Sequence, residues 1–293
     1  MSTIIITGYS GLLGKALLAE LSGCGHELVC LGRAAPPDKS YAQHVLANLD
    51  EADNLAVTLP ARADAVIHLA QAKGYNQFPE RAASMFRVNV AVLAQLLGWG
   101  SKSGITHFIH ASTGGVYAPS DAPLRETDPV ALTGPLAYYK STKRSAEMLA
   151  EPYTGKFIVA ALRYFFIYGP SQQPAMLIPR LIASVREGRP LKLAGPDGIR
   201  FNPVHASDAA AATTAALALK QGGLFNIAGP EVLSFRAAGC AIGAVVGRGP
   251  VFEIGPAGHD LVADTARMRE SLVAPRIGFA DGIANLCGIP PLK

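Results

Sequence analysis

Hydrophobic positions along the first 165 residues follow two alternating rhythms. Short apolar or β-branched runs at Thr3–Thr7, Glu27–Leu31, Ala65–His68, His107–Ala111 and Phe157–Arg163 read as buried strands. Between them, Leu12–Leu21, Ala82–Gly98 and Tyr139–Ala150 repeat their apolar residues at helical spacing. Within Ala82–Gly98, Phe86, Val90, Leu93 and Leu97 share one stripe, suited to core or subunit contact. Such alternation predicts an α/β fold, a doubly wound parallel sheet covered on both faces. Beyond Gly169 the chain is richer in Pro and Gly and its elements shorten. Helices are expected there at Met176–Glu187, Ser207–Leu219 and Ser234–Val246, with a strand at Leu224–Ala228. The predicted division is a first domain over residues 1–169 and a smaller C-terminal lobe over 170–293. Segments near 204–228 are expected to return to the main sheet. The lobe is expected to close over the carboxyl ends of the strands, where such sheets bind ligands.

Composition narrows the classes. Of 293 residues 49% are hydrophobic and 16% charged, which predicts a packed chain with little disorder. The net charge of +4 argues neither way about nucleic acid, but no basic helix or arm is present, so none is expected as partner. No uninterrupted apolar segment reaches membrane-spanning length, and no membrane partner is expected. With the first strand predicted from Thr3, no signal peptide is expected. Cys24, Cys30, Cys240 and Cys287 show neither metal spacing nor a disulfide framework. No metal is expected, and a reducing cytoplasm is the default.

The stretch Thr3–Gly14 carries the first chemistry. A strand-like run ends at Gly8; Gly8, Gly11 and Gly14 recur every third residue, and a helical pattern follows. Strand, glycine turn and helix N-terminus together make an anion site, because backbone N–H groups and the positive end of the helix dipole converge. The predicted contacts are Gly8, Ser10, Gly11, Leu12, Leu13 and Gly14, and the predicted ligand is a dinucleotide pyrophosphate. The end of the second strand faces the adenosine ribose in this architecture, and an acidic residue there favours NAD. Here the strand ends in Gly32-Arg33, with a guanidinium suited to a 2′-phosphate, so NADP is preferred over NAD as cofactor.

Three later segments complete the picture. Ser112 and Thr113 stand at the carboxyl end of a strand. Tyr139 and Lys143 lie one helical turn apart, hence on one face. Leu162–Gly169 follows the next strand. The motifs TGYSGLLG (Thr7–Gly14), DAVIHLA (Asp64–Ala70), Asn89 in RVNV, STGGVY (Ser112–Tyr117), YKSTK (Tyr139–Lys143) and LRYFFIYGP (Leu162–Pro170) occur in order. With NPVHASDAA (Asn202–Ala210) and DLVADTAR (Asp260–Arg267), the chain resembles the extended short-chain dehydrogenase/reductase family almost to its C-terminus. That group contains the nucleotide-sugar epimerases and dehydratases typified by UDP-galactose 4-epimerase.

The resemblance implies a Rossmann fold with a substrate lobe, a homodimer through helices Ala82–Gly98 and Tyr139–Ala150, and a sugar or nucleotide-sugar substrate. Hydride transfer at a sugar carbon needs a group to exchange a proton with the adjacent oxygen. A free tyrosine, with a pKa of about 10, is a poor base at neutral pH. A nearby ammonium and an oxidised nicotinamide both favour its phenolate, so Tyr139 is expected as the acid/base and its pKa is expected to fall. Tyr138 competes by position, but has Thr142 rather than lysine four residues on. By resemblance, Lys143 also holds the nicotinamide ribose, and Thr113, rather than Ser112, binds the reacting oxygen. The resemblance further places Asn48 and Leu49 at the adenine, Leu69 and Ala70 at the pyrophosphate, and Lys73 near the cofactor. It places the backbones of Tyr164 and Phe165 at the carboxamide. Asn89 is expected to brace the sheet interior, and His68, His107 and His110 to be core or strand-end residues.

The likeness has gaps. Dehydratases of this family follow the catalytic threonine with an Asp-Glu pair, where this chain has Gly114-Gly115. Without that acid, water elimination is disfavoured. The substrate asparagine of the epimerases is Phe166 here, and a diphosphate-binding arginine aligns with Phe201, one residue beyond Arg200. Substrate contacts are expected from Thr113, Gly114, Phe166, Arg180, Arg200 and Asn202. His205 and Asn202 could equally cap the Ser207–Leu219 helix, although Ser207 or Asp208 is the better cap by residue type. Three functions follow: an oxidoreductase performing net ketoreduction of a keto-sugar, slightly preferred; a redox-neutral 4-epimerase; and a catalytically silent NADP-binding regulator.

Overall fold

The computed structural model describes residues 2–36, 42–51 and 53–289. The chain forms two compact units, neither of them a continuous stretch. The first comprises residues 1–118, 129–163 and 213–225; the second comprises 119–128, 164–212 and 226–293.

The frame of the first unit is a seven-stranded sheet in the order β3-β2-β1-β4-β5-β6-β9. Its strands are β1 (Thr3–Thr7), β2 (Glu27–Gly32), β3 (Ala42–Leu46), β4 (Ala65–His68), β5 (His107–Thr113), β6 (Ile158–Tyr164) and β9 (Gly223–Ile227). The pairs β1–β2, β1–β4, β2–β3 and β4–β5 are all parallel, with Ile4, Ile5 and Ile6 of β1 matched to Leu28, Val29 and Cys30 of β2. The order reverses between β1 and β4, the switch point at which doubly wound sheets bind ligands. Helices α1 (Leu12–Leu21), α2 (Ala82–Phe86), α3 (Val92–Ser103) and α4 (Ala137–Ala150) supply the crossovers.

Helices α2 and α3 are joined through a π-helical turn, Arg87–Ala91, into one continuous run. By length and apolar composition alone this 22-residue run could cross a membrane, a point the sequence pattern missed because polar residues interrupt it. Half of its most apolar stretch is buried, and Val92, Leu93, Leu96, Leu97 and Trp99 pack with Val66, Phe108 and Phe157 in the core. Of the predicted stripe, Val90, Leu93 and Leu97 are buried and Phe86 is exposed. Asn89 is buried: its side-chain oxygen accepts from the Ala72 amide at 3.3 Å and its Nδ2 donates to Thr142 Oγ1 at 3.0 Å, the expected brace.

The second unit holds β7 (Leu191–Ala194), β8 (Arg200–Phe201), β10 (Leu233–Ser234) and β11 (Phe252–Gly255). They pair as two short ribbons, β10–β8 antiparallel and β11–β7 parallel. Its helices are α5 (Leu177–Glu187), α6 (Ala206–Ala215), α7 (Phe235–Val246), α8 (Ala266–Ser271) and α9 (Phe279–Cys287). Tyr168, Phe201, Phe279, Ile242 and Val185 anchor a separate apolar cluster there.

Candidate functional site

The glycine turn closes tightly. Gly8 adopts φ +74°, and a Cβ there would lie 2.6 Å from the Leu69 and Ala70 backbone. A Cβ at Gly14 would meet the Gly8 carbonyl at 2.3 Å, and the Gly11 amide donates to that same carbonyl at 3.0 Å. Gly11 is the N-cap of α1 and places no side chain over the helix end. A turn packed too closely for side chains at Gly8 and Gly14, leading into a helix start without a side-chain cap, fits a pyrophosphate. Ser10 and Gly11 are exposed, Leu12 is half-buried, and Leu13 and Gly14 are buried. Leu69 and Ala70 follow β4 against this turn, with the Ala70 amide donating to Thr7 Oγ1 at 3.2 Å.

The rim residues spread along the same strand ends. Arg33 follows β2 and is exposed; the loop beside it is tied by the Tyr9 hydroxyl donating to the Ala34 carbonyl. Asn48 and Leu49 follow β3; Asn48 Oδ1 accepts from the Asp50 amide at 3.3 Å, and Leu49 packs against the core. Lys73 is exposed beyond β4.

The catalytic candidates meet between β5 and α4. Thr113, the last residue of β5, stands close enough to the Tyr139 phenol to favour its ionised form. Its Oγ1 also accepts from the Gly115 amide at 3.1 Å, which starts the turn Gly114–Val116. The Tyr139 hydroxyl donates to Gln71 Oε1 at 3.1 Å, and the Tyr75 ring lies 5.1 Å from its own. Lys143 is buried and its Nζ donates to the Ala111 carbonyl at 3.0 Å.

The protein groups around the phenol, taken alone, act against the expected fall. Burial pushes the Tyr139 phenol above its ordinary value, opposed by the nearby Thr113 hydroxyl and reinforced by Tyr75. The Lys143 ammonium is engaged at the Ala111 carbonyl, and burial brings Lys143 itself down to about 8. Spacing showed that the two residues share a helical face, but not where the lysine tip points. His68 and His110 are buried and held to about 3 and about 4 chiefly by burial, so both are neutral at physiological pH. His107 is a strand-end residue whose Nε2 is paired with the Leu219 carbonyl at 3.0 Å.

Several expected contacts are otherwise engaged. The Phe165 amide donates to the Ile227 carbonyl at 2.9 Å, and its carbonyl accepts from Val204 at 3.3 Å. This leaves the Phe165 amide no role at a carboxamide here. Tyr164, at the end of β6, is buried. Phe166 adopts φ +46° and stacks edge-on against Phe201 at 5.2 Å. Asn202 is buried, with both ends of its amide bound to Ala263 at 2.9 Å, so it clamps the backbone rather than a ligand. The α6 start is not capped as residue type suggested. His205 Nδ1 accepts from the Ser207 amide at 3.2 Å, while Asp208 Oδ2 accepts from the amides of Arg276 and Ile277. Arg200 Nε donates to Asp260 at 2.6 Å, and Arg180 is exposed on α5. Gly114 is buried in the turn after Thr113.

The sequence profile of the NAD dependent epimerase/dehydratase family matches residues 4–228. The chain belongs to that family. It is therefore an enzyme of the NAD-dependent epimerase/dehydratase type, built on the Rossmann sheet described above. Among curated relatives, a dTDP-glucose 4,6-dehydratase of Streptomyces griseus is 27% identical, covering 96% of this chain and 92% of the relative. A protein of Bacillus subtilis described as an uncharacterized UDP-glucose epimerase, YtcB, is also 27% identical, covering 96% of both chains. Among solved structures, the UDP-glucuronic acid 4-epimerase of Bacillus cereus, in complex with UDP-glucuronic acid and NAD, superposes with a TM-score of 0.83. It is 25% identical and covers 97% of each chain. MoeE5, in complex with UDP-glucuronic acid and NAD, is 26% identical over 98% of each chain, with a TM-score of 0.82.

Two groups around this family site escaped the sequence reading. Gln71 and Tyr75 flank the Tyr139 phenol. Glu147 and Arg163 form a buried pair beneath it in sequence order, and the signal was Arg163 itself, a cation inside an apolar strand run. A buried cation requires a buried anion.

Proposed function

We propose that this enzyme is a nucleotide-sugar 4-epimerase that uses NAD, with Tyr139, Thr113 and Lys143 carrying the proton chemistry. The observation that carries this reading is the turn Gly114–Val116 directly after Thr113. It has no carboxyl group where elimination of water would need a proton donor, yet it leaves the Thr113–Tyr139 pair intact. The likeness to 4-epimerases in complex with NAD and a UDP-sugar supports the cofactor and the substrate class.

When bound, NAD supplies the hydride acceptor and a positive charge beside the phenol. Tyr139 would take the proton of the C4 hydroxyl, and Thr113 would hold that oxygen by a hydrogen bond. The cofactor would both accept and return the hydride, so the reaction would show no net redox, and Tyr139 would give back the proton it took. Lys143 remains an ammonium at neutral pH and anchors the strand end through Ala111.

One observation favours a second reading, NADPH-dependent ketoreduction: Arg33 is exposed at the end of β2 with no acidic residue there. Mass spectrometry of the supernatant from denatured protein separates the two. Stoichiometric NAD, with inversion of UDP-glucuronic acid in the absence of added cofactor, is expected. NADP, or an empty protein needing NADPH for turnover, would favour ketoreduction. Tyr139→Phe should reduce turnover by about a thousandfold or more while leaving cofactor content unchanged. Exposed Phe86 on α2, with Met148 and Leu149 on α4, supports the expected homodimer, which light scattering would detect. Four free cysteines support a reducing, cytoplasmic setting.

A further inference from the structure

We propose that Glu147 is the positioning residue of this site: one buried carboxylate joins the strand end bearing Thr113, the helix bearing Tyr139 and Lys143, and strand β6, and sets a negative charge one turn from the Lys143 ammonium. The inference rests on the catalytic roles proposed above.

Glu147 follows Lys143 by one helical turn and Tyr139 by two, so all three project from one side of α4. Its carboxylate is held from three elements. Ser112 Oγ of β5 donates to Oε1 at 2.6 Å. Arg163 of β6 donates through Nε to Oε1 at 2.8 Å and through Nη2 to Oε2 at 2.7 Å. Arg144, one turn earlier on α4, donates to Oε2 at 2.9 Å. Arg163 also lies over the Tyr117 ring at 4.7 Å, which extends the frame to the end of the turn after Thr113. Segment 111–113 is thus bonded to α4 at Ala111 through Lys143 and at Ser112 through Glu147, which sets Thr113 beside Tyr139.

A buried ion pair is poor evidence for stability, since desolvation offsets much of its attraction. Its value here lies in geometry and charge. The titratable groups facing Lys143 are His68 of β4, His110 of β5 and Glu147 of its own helix. Those facing Glu147 are Arg163, Arg144 and His110. Both histidines are neutral at physiological pH, and neither ring nitrogen of His110 has a hydrogen-bond partner. Glu147 is therefore the negative charge that opposes the loss of the Lys143 proton.

The test is the titration midpoint of Lys143 in the purified full-length protein, read by carbon NMR of labelled lysine and assigned with Lys143→Arg. In Glu147→Gln the midpoint should fall by about one pH unit or more, a tenfold change in proton affinity. In Glu147→Asp, which keeps the charge, it should stay near the native value. The double variant Glu147→Gln/Arg163→Gln removes the carboxylate without stranding the guanidinium, and should show a smaller fall in the same direction. A folded Glu147→Gln or double variant with the native midpoint overturns the proposal, because a purely structural clamp would leave Lys143 unmoved. The midpoint needs neither substrate nor turnover, so its failure is distinct from failure to find epimerase activity.

Discussion

Arg163 meets Glu147 in the first unit with both side chains hidden, 1% and 2% exposed, whereas Arg200 meets Asp260 in the second with 55% and 24% exposed. The contact distances are alike, 2.7 and 2.6 Å. The surroundings differ, and with them the physical role. A hidden pair cannot part without leaving a charge in low dielectric, so it acts as a fixed strut. An exposed pair parts at little expense, because water and salt take over either partner. The Arg200 side chain thus sits in a pair that solvent can loosen, while Arg163 is committed.

The difference can be broken most forcefully at Arg163. Arg163→Ala should lower the unfolding free energy by about 3 kcal/mol in urea denaturation, because buried Glu147 loses its two-pronged partner and keeps only Ser112 and the half-buried Arg144. A loss below about 1 kcal/mol would place the two pairs in one class.

Acid should act next, again through the buried site of the first unit. His68 and His110 have folded-state values of about 3 and about 4, below the ordinary 6.5 of an unfolded histidine. As pH falls below about 6.5 the unfolded chain binds these protons first, so stability is lost between there and about 4. The loss should be on the order of several kcal/mol, followed by urea denaturation at pH 7, 5.5 and 4. A flat profile would show that these histidines are not neutral by burial.

Arg200→Ala should change stability by less than about 1 kcal/mol, yet weaken binding of UDP about tenfold by calorimetry if the guanidinium releases Asp260 for a diphosphate. Unchanged UDP affinity would confine Arg200 to its pair. The smallest effect belongs to Arg33, another exposed guanidinium. Arg33→Ala should weaken NADP binding severalfold in fluorescence titrations and leave NAD affinity unaltered.

What could be read from the chain followed the strength of local patterns. Thr3–Thr7, Leu12–Leu21 and Ala65–His68 form with the expected bounds, because β-branched runs and an uninterrupted helical period leave little choice. β3, Ala-Gln-His-Val-Leu, was missed because it is a sheet edge with only Ala42 buried. The ribbons β7–β11 and β8–β10 have strands of four and two residues, too short to show a period. Tyr139 and Lys143 were legible from spacing, as was the glycine turn. Glu147 was not: on a helix, a carboxylate one turn from a lysine looks like an ordinary solvated pair. Only the sheet reveals that Arg163 and Ser112 enclose it.

The seventh strand of the sheet, β9, comes from Gly223–Ile227 and lies beside β6, which ends at Tyr164. A nascent chain therefore leaves the ribosome with that edge of the sheet bare until roughly sixty further residues have been translated, a span in which an unpaired strand can capture a neighbouring polypeptide. Slow passage through codons 165–222 would prolong that exposure, and chaperone demand during synthesis should concentrate there.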